Sequence, residues 1–333
     1  MNTKMVNRRQ FLNLSTGAAT LMMHRTLSGN ELALQQHVRS AEALGTQVNI
    51  TVFHPEETIA NQAIDAALER IEHVEQLMSL YRPDSQLSLL NRRGVLRHPH
   101  PDLVAVLTKA AELSRLTRGA FDVTVQPLWK LYADRAGDGA LPTEGEIEKV
   151  RQRIGWQHIR IESDIIYFDR AGMQVTLNGV AQGLAADLAQ QALKERGIEH
   201  ALIDAGELNA MGSPSRKESW HIAIQHHRQQ SERIAKIGLL DRCLSTSGDY
   251  ATRFSDDYRH HHLLDPRTGL SPAKLASVSV AAPSALEADV LSTAIFIIGP
   301  EQGKELVESM NLVDALFVSK SGEVVTTEGF DLI

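Results

Sequence analysis

Apolar positions recur along this chain in two rhythms, and each rhythm marks a different kind of element. Over residues 58–81, Ile59, Ala63, Ala67, Ile71, Val74 and Met78 fall on one stripe, which predicts a long amphipathic helix. Arg82-Pro83-Asp84-Ser85 follows as a turn in which proline halts that helix. Pro101 opens a second helix that runs to residue 118, with Leu103, Leu107, Ala110 and Leu113 inward and Gly119 closing it. Residues 119–125 read as a helix end passing into a short extended segment, and the glycine-rich residues 134–142 as a surface loop. Thr143 and Glu146 form a capping box for a short helix ending at Gly155. Period-two alternation and β-rich runs predict strands over 47–53, 158–162, 165–168, 173–177, 201–204, 220–225, 234–239, 243–246, 259–264 and 277–282. Residues 286–298 are apolar nearly all round, the mark of a buried helix. A polar helix over 300–310 and a hairpin, 315–319 with 324–327, end the chain. No regular βαβ rhythm appears. The pattern therefore predicts an α+β fold, with mixed or antiparallel sheets and packed helices.

One stretch organises the rest: Thr176-Leu177-Asn178-Gly179-Val180-Ala181-Gln182-Gly183-Leu184-Ala185-Ala186-Asp187. It reads as a strand end, a tight glycine turn and a helix with Val180, Leu184, Leu188 and Ala192 on its apolar face. Asn178 is placed to cap that helix, and Gly197 stands where a left-handed C-terminal residue is wanted. A helix opening on glycine presents free N–H groups and a partial positive charge, which suits a phosphate. An ordinary strand-turn-helix joint has the same signature.

Composition narrows the function. The chain has 333 residues, 43% of them hydrophobic and 23% charged, enough for one large domain or two closely packed ones. A formal charge of -7, with no basic run interleaved with aromatics, argues against a nucleic-acid partner. Cys243 is the sole cysteine, so there is neither a disulfide framework nor a cysteine zinc site. Nothing approaches the roughly 18 uninterrupted apolar residues of a membrane span. Asn7-Arg8-Arg9-Gln10-Phe11-Leu12, followed by a weakly apolar stretch over 14–23, resembles a twin-arginine export signal. Residues 1–30 are therefore set apart as a signal segment. The expected location is the periplasm, with membrane association if the segment is retained. A lone thiol suits that oxidising compartment.

Several constellations could carry chemistry. Asp289 and Thr293 project from one face of the apolar helix. A buried carboxylate there must be paired, hydrogen-bonded or metal-bound. Carboxylate, hydroxyl and carbonyl oxygens form the hard donor set that magnesium prefers. Ser245-Thr246-Ser247-Gly248-Asp249-Tyr250 and His262-Leu263-Leu264-Asp265-Pro266-Arg267-Thr268-Gly269 each leave a predicted strand into a turn. In His260-His261-His262 at most two side chains could converge on a metal, because neighbours along a strand face opposite ways.

Taken in order, these runs resemble the ApbE family of FAD:protein FMN transferases. The matching set also includes Leu44-Gly45-Thr46, Ser79-Leu80-Tyr81-Arg82-Pro83-Asp84-Ser85 with Asn91, Gly119-Ala120-Phe121-Asp122-Val123-Thr124, and Ala288-Asp289 with Thr293. The resemblance implies a single domain over residues 40–333 that transfers the FMN half of FAD to a Thr or Ser hydroxyl of a partner protein and releases AMP. It implies FAD as substrate, Mg2+ as cofactor, and an acceptor with an FMN-binding domain carrying a Ser/Thr motif. Leu44, Tyr81, Ala120, Phe121 and Asp122 would line the flavin site. Thr176, Gln182 and Leu264 would flank the phosphates. Asp289, Thr293 and the carbonyl of Gly179 would hold the metal, and His262 would assist the acceptor hydroxyl, with Asp249 or Asp265 as alternatives. Many relatives read Asp-Leu-Gly-Gly-Ile-Ala-Lys-Gly at the central turn. Here Thr176, Asn178 and Gln182 replace the Asp, the first Gly and the Lys, and Glu207 stands where a second glycine is usual after Gly206. Two other functions need the same residues: an FAD-binding accessory protein with little transfer, and a pyrophosphatase yielding FMN and AMP.

Overall fold

The structure, a computed structural model, describes residues 33–214, 218–226, 228 and 232–333. The signal segment expected at 1–30 lies outside the described residues. The chain enters on a hairpin, β1 (Gln35–Ala43) against β2 (Thr46–His54). The fold thus reaches back to Gln35, ahead of residue 40. Then come α1 (Glu57–Met78), α2 (Gln86–Arg93), β3 (Val95–Arg97), α3 (Pro101–Leu116), α4 (Gln126–Gly137) and α5 (Glu144–Arg151). β4 (Ile159–Glu162) and β5 (Ile165–Phe168) precede the central helix α6 (Ala181–Lys194). Five strands follow: β6 (His200–Asp204), β7 (Leu208–Met211), β8 (Trp220–Gln225), β9 (Arg233–Leu239) and β10 (Cys243–Gly248). β11 (Leu275–Ala282), α7 (Ala285–Ile298), α8 (Pro300–Glu308), β12 (Asp314–Ser319) and β13 (Val324–Thr326) complete the described chain.

One 8-stranded sheet, ordered β1-β2-β6-β7-β10-β11-β12-β13, dominates, with smaller sheets β3-β5-β4 and β8-β9 beside it. Every ladder among the described residues is antiparallel. The fold is α+β. Both faces of the large sheet are covered, and the strand alternation shows how. Ala201 and Ile203 of β6, Val278 and Val280 of β11, and Ala315 and Phe317 of β12 join a core with α1, α6 and α7. Their neighbours Leu202, Ala281, Leu316 and Val318 face the other way, where Trp220, Ile222 and Leu239 of the β8-β9 hairpin cover them. This double burial is why β11 is buried along its whole length.

Several elements differ from expectation for identifiable reasons. Residues 173–177 alternate as a strand does but join no ladder. The side chain of Asn91 takes the place of a neighbouring strand: its Nδ2 donates to Val175 O and its Oδ1 accepts from Val175 N, both at 2.7 Å. Thr176 N donates to Val123 O at 2.8 Å. Residues 259–264 likewise form no strand: their pairing stops at an isolated antiparallel bridge, Arg253 with His261, and His261 N donates to the Ser271 side chain instead. Residues 119–125 end in a 3-10 turn, and α4, which the sequence pattern does not predict, runs into the start of the predicted surface loop and ends at Gly137. Its Pro127 sits in the first turn, where a missing N–H costs nothing. β1, α2, β3 and β7 carry no periodicity strong enough to predict them.

α6 and α7 approach so closely at Gly183 that a Cβ there would lie 2.4 Å from Ala285 O. In an open helix, Gly→Ala would stabilise by about 1 kcal/mol. Here Gly183→Ala should instead destabilise by about 1–3 kcal/mol, the usual cost of overpacking. Urea unfolding measures it, and a neutral or stabilised variant would refute the close approach.

Candidate active site

Helix α6 begins without a side-chain cap at Val180, so its first-turn N–H groups need acceptors from elsewhere. One comes from α7: Gly183 N donates to Asp289 Oδ2 at 3.3 Å. The reverse also holds. Asp187 of α6 accepts from Ala285 N and Leu286 N in the first turn of α7, at 2.8 and 3.0 Å, and from Asn209 Nδ2 at 3.2 Å. Each helix therefore supplies the carboxylate that terminates the other. The cap expected from Asn178 is absent because the chain makes one more turn before the helix. Asn178 N donates to Thr176 Oγ1, and Val180 N and Ala181 N both donate to Leu177 O.

Beside this junction oxygen atoms gather. A Cβ on Gly179 would lie 3.3 Å from Thr293 Oγ1 and 3.7 Å from Phe121 Cε2, so the turn, the α7 hydroxyl and the Phe121 ring meet. Thr293 Oγ1 hydrogen-bonds Ser247 Oγ at 3.1 Å, and Ser247 Oγ hydrogen-bonds Ser292 Oγ at 2.8 Å. Ser245 Oγ lies 3.1 Å from Ser292 Oγ. Glu207 is buried next to this string; it hydrogen-bonds Ser245, and the Asp289 charge acts on it. Burial raises both the Asp289 and the Glu207 carboxyl above the usual range, and carboxylate neighbours raise them further. A divalent cation fits this arrangement. Asp289 is 4% exposed, and its side chain accepts one long amide bond, from Gly183 N, so a buried, under-neutralised carboxylate stands beside side-chain hydroxyls, hard oxygen donors of the kind Mg2+ takes. Asp187, Glu207, Ser247 and Ser292 were not singled out as site residues from the sequence. Their types are ordinary there, and only the packing of α6 on α7 gives them this setting.

The expected flavin and phosphate residues are placed as follows. Leu44 holds φ 53° and donates its N–H to Glu75 Oε2 at 2.8 Å. Tyr81 is exposed, just beyond α1. Ala120 and Phe121 are buried. The Asp122 carboxylate is occupied by the protein: Oδ1 accepts from Thr124 N and Oγ1, and Oδ2 from Trp156 N. Its side chain therefore anchors the loop, and burial raises its pKa. Thr176 is half-buried on the Asn91-held segment. The Gln182 amide packs on Gly206, where a Cβ would lie 2.4 Å from Nε2, and Gly206 also holds φ 96°. Leu264 belongs to a separate apolar cluster with Leu128, Tyr132, Ile147 and Ile154.

Three groups were candidates for the base, and their partners separate them. Asp249 is fully buried; Arg228 pairs with both its oxygens at 2.8 Å, and Lys320 contacts Oδ2. Asp265 accepts from Arg267 N, Nε and Nη2. His262 differs. Its Nδ1 lies 3.2 Å from Thr252 O, and a carbonyl can only accept, so Nδ1 carries the proton and Nε2 the lone pair. Desolvation pulls its pKa down to about 4, which keeps the ring neutral at pH 7. An open cleft of ≈ 830 Å³ is lined by Asn91, Arg92, Lys130, Arg153 and Gln174, and neither Gly179 nor Asp289 lines it.

Solved flavin transferases share this architecture. The fold superposes on the flavin transferase ApbE of Vibrio cholerae with a TM-score of 0.78 and 28% identity, covering 89% of this chain and 98% of that one. The ApbE protein of Thermotoga maritima gives a TM-score of 0.80 at 27% identity, over 88% of this chain and 97% of that one. The ApbE family model matches residues 44–317, and the chain belongs to the ApbE family. Among curated relatives, an FAD:protein FMN transferase of Vibrio cholerae is 30% identical over 313 residues, 89% of this chain and 91% of that protein. One of Escherichia coli K12 is 30% identical over 265 residues, 76% and 75% respectively.

The raised Asp289 carboxyl has a stability consequence in the metal-free protein. Its folded pKa lies above the ordinary 3.8, so its ionised form opposes folding at neutral pH. That penalty fades as pH falls towards 3.8. Asp289→Asn should therefore stabilise the metal-free chain at pH 8 by about 1 kcal/mol or more, with a smaller gain at pH 5. Paired denaturant titrations at the two pH values test this; an equal gain at both would show that Asp289 is not held in a raised state.

Proposed function

We propose that this protein is a magnesium-dependent FAD:protein FMN transferase that acts in the periplasm after twin-arginine export. The observation that carries the reading is the junction of Gly179, Thr293 and Asp289, which brings a turn, a hydroxyl and a buried carboxylate together beside Phe121. In the reaction, a Thr or Ser hydroxyl oxygen of the acceptor forms a bond to the phosphorus of the FMN half. The diphosphate P–O bond breaks, and AMP leaves with the electron pair. Asp289, Thr293 and the Gly179 carbonyl would hold Mg2+, which when bound neutralises charge on the diphosphate oxygens. The chain's own contribution is positioning and proton transfer. Phe121 closes one side of the junction. His262, with Nδ1–H fixed on Thr252 O, offers Nε2 to the acceptor proton. The acceptor is an exported or membrane-associated redox protein whose FMN-binding domain carries the Ser/Thr motif.

Incubation with FAD, Mg2+ and such a domain should yield fluorescent flavin on the acceptor and an equal amount of AMP. Free FMN without acceptor would indicate the pyrophosphatase, and a stoichiometric yellow protein without AMP the accessory protein. Asp289→Ala should abolish transfer and leave a folded chain. His262→Asn should lower kcat by about 10²–10⁴-fold. At saturating Mg2+ the wild-type rate should show no histidine titration between pH 7 and 5, because His262 is pulled down to about 4. A rate that halves near the ordinary imidazole value of 6.5 would assign the proton transfer elsewhere.

A further inference from the structure

Away from the α6–α7 junction, three metal-ligating side chains from two helices converge. His73 lies on α1, His100 is the residue before α3, and Asp102 is in the first turn of α3. Each offers a ligand atom, and these atoms all lie within 4.8 Å of one another. His73 Nε2 is 2.8 Å from Asp102 Oδ2, and His100 Nδ1 is 3.7 Å from the same oxygen. The two rings meet edge to face with centroids 4.7 Å apart. A tetrahedral ion with bonds of about 2.0–2.1 Å holds its donors a little over 3 Å apart, and the observed separations bracket that spacing. All three residues are half-buried, so a fourth position is open to water. Arg70 Nη2 stands 3.9 Å from Asp102 Oδ2, beyond hydrogen-bonding range. His100 N donates to Gln86 Oε1, which fixes the residue's backbone beside α2.

We propose that His73, His100 and Asp102 form a second metal site, of two imidazoles and one carboxylate, that takes a divalent transition ion such as Zn2+ and ties α1 to α3. Imidazole nitrogens select the zinc class over magnesium, so this site and the oxygen cluster at Asp289 do not compete for the same ion. The ion replaces two bonds, the direct His73–Asp102 hydrogen bond and the one that His100 Nδ1 accepts from Asp102 N at 3.2 Å as the cap of α3, with bonds to all three side chains. Its place in the fold gives it leverage. On α1, Glu75 holds Leu44 N. Beyond α3, Thr117 Oγ1 accepts from Phe121 N at 3.2 Å. Fixing α1 against α3 fixes the spacing of the segments that carry residues 44 and 121.

The test uses the untagged full chain, stripped of metal and kept in excess Mg2+, titrated with Zn2+ by calorimetry and by competition with a chromophoric chelator. Wild type and Asp289→Ala should each bind one equivalent, and bound Zn2+ should raise the melting temperature of both. His73→Gln, His100→Gln and Asp102→Asn, checked for native circular dichroism, should lose affinity by more than the roughly 10–100-fold that follows loss of an outer partner. They should also lose the zinc-dependent rise in melting temperature. An equivalent that survives in His73→Gln/His100→Gln, or a folded wild type that binds no Zn2+, would overturn the proposal.

Discussion

The reciprocal termination of α6 and α7 is the constraint on which the site depends. A helix start exposes N–H groups and a partial positive charge, and a carboxylate placed there contributes about 0.3–1 kcal/mol, more when partly buried. Asp187 and Asp289 accept bonds from each other's first turns, with burial of the two carboxyls working against that gain, so neither helix can slide or rotate without releasing an acceptor from the other. The bare glycine face at residue 183 lets the backbones come close enough for both bonds to form. The pair then carries Thr293 to the turn at Gly179, and the strand hydroxyls of Ser245 and Ser247 lie against Ser292. The same asymmetry separates structure from chemistry. Asp187 has three donors at normal distance, whereas Asp289 has one long one. The saturated carboxylate builds the joint, and the under-saturated one is left able to bind.

Much of this was legible in the residue pattern, for reasons that differ by element. α7 announced itself because it is buried on all sides, and a helix buried that way must be apolar all round. α1 did so because one face is wet and the other packed. Two of the misreadings share one cause, a backbone satisfied by a side chain. Residues 173–177 have the alternation of a strand because one side faces the core, yet Asn91 supplies the hydrogen bonds that a strand would have supplied. A sequence pattern reports burial; it does not report which atom answers a buried N–H. The Asn178 cap failed similarly, because Thr176 Oγ1 takes its amide and the helix begins beyond it.

Within the site, the residues whose type dictates their chemistry were visible and those defined by neighbours were not. Asp289 and Thr293 stand out as polar atoms on an apolar helix. Glu207 gives no such signal: a charged residue in a strand connection is normally at the surface, and only the structure shows it buried near Asp289. Asp122 runs the other way. It looks like a ligand-facing acid, but three protein donors have taken it up. Asp249 and Asp265 are likewise held by cations, and His262 keeps a lone pair because a backbone carbonyl has fixed its tautomer.

The order of strands in the large sheet also bears on how the protein is made. β2 pairs with β6, Phe53 against His200 and Asn49 against Asp204, so residues 55–199 must be synthesised before that ladder can close. Until then the nascent hairpin of β1 and β2 carries an unpaired, apolar edge, which is a template for joining other chains. α1, which packs against both strands, can shield their face but not that edge. The interval between translation of residue 54 and residue 200 is therefore the period when a newborn chain is most exposed to mispairing, and a chaperone acting on it would have its target there.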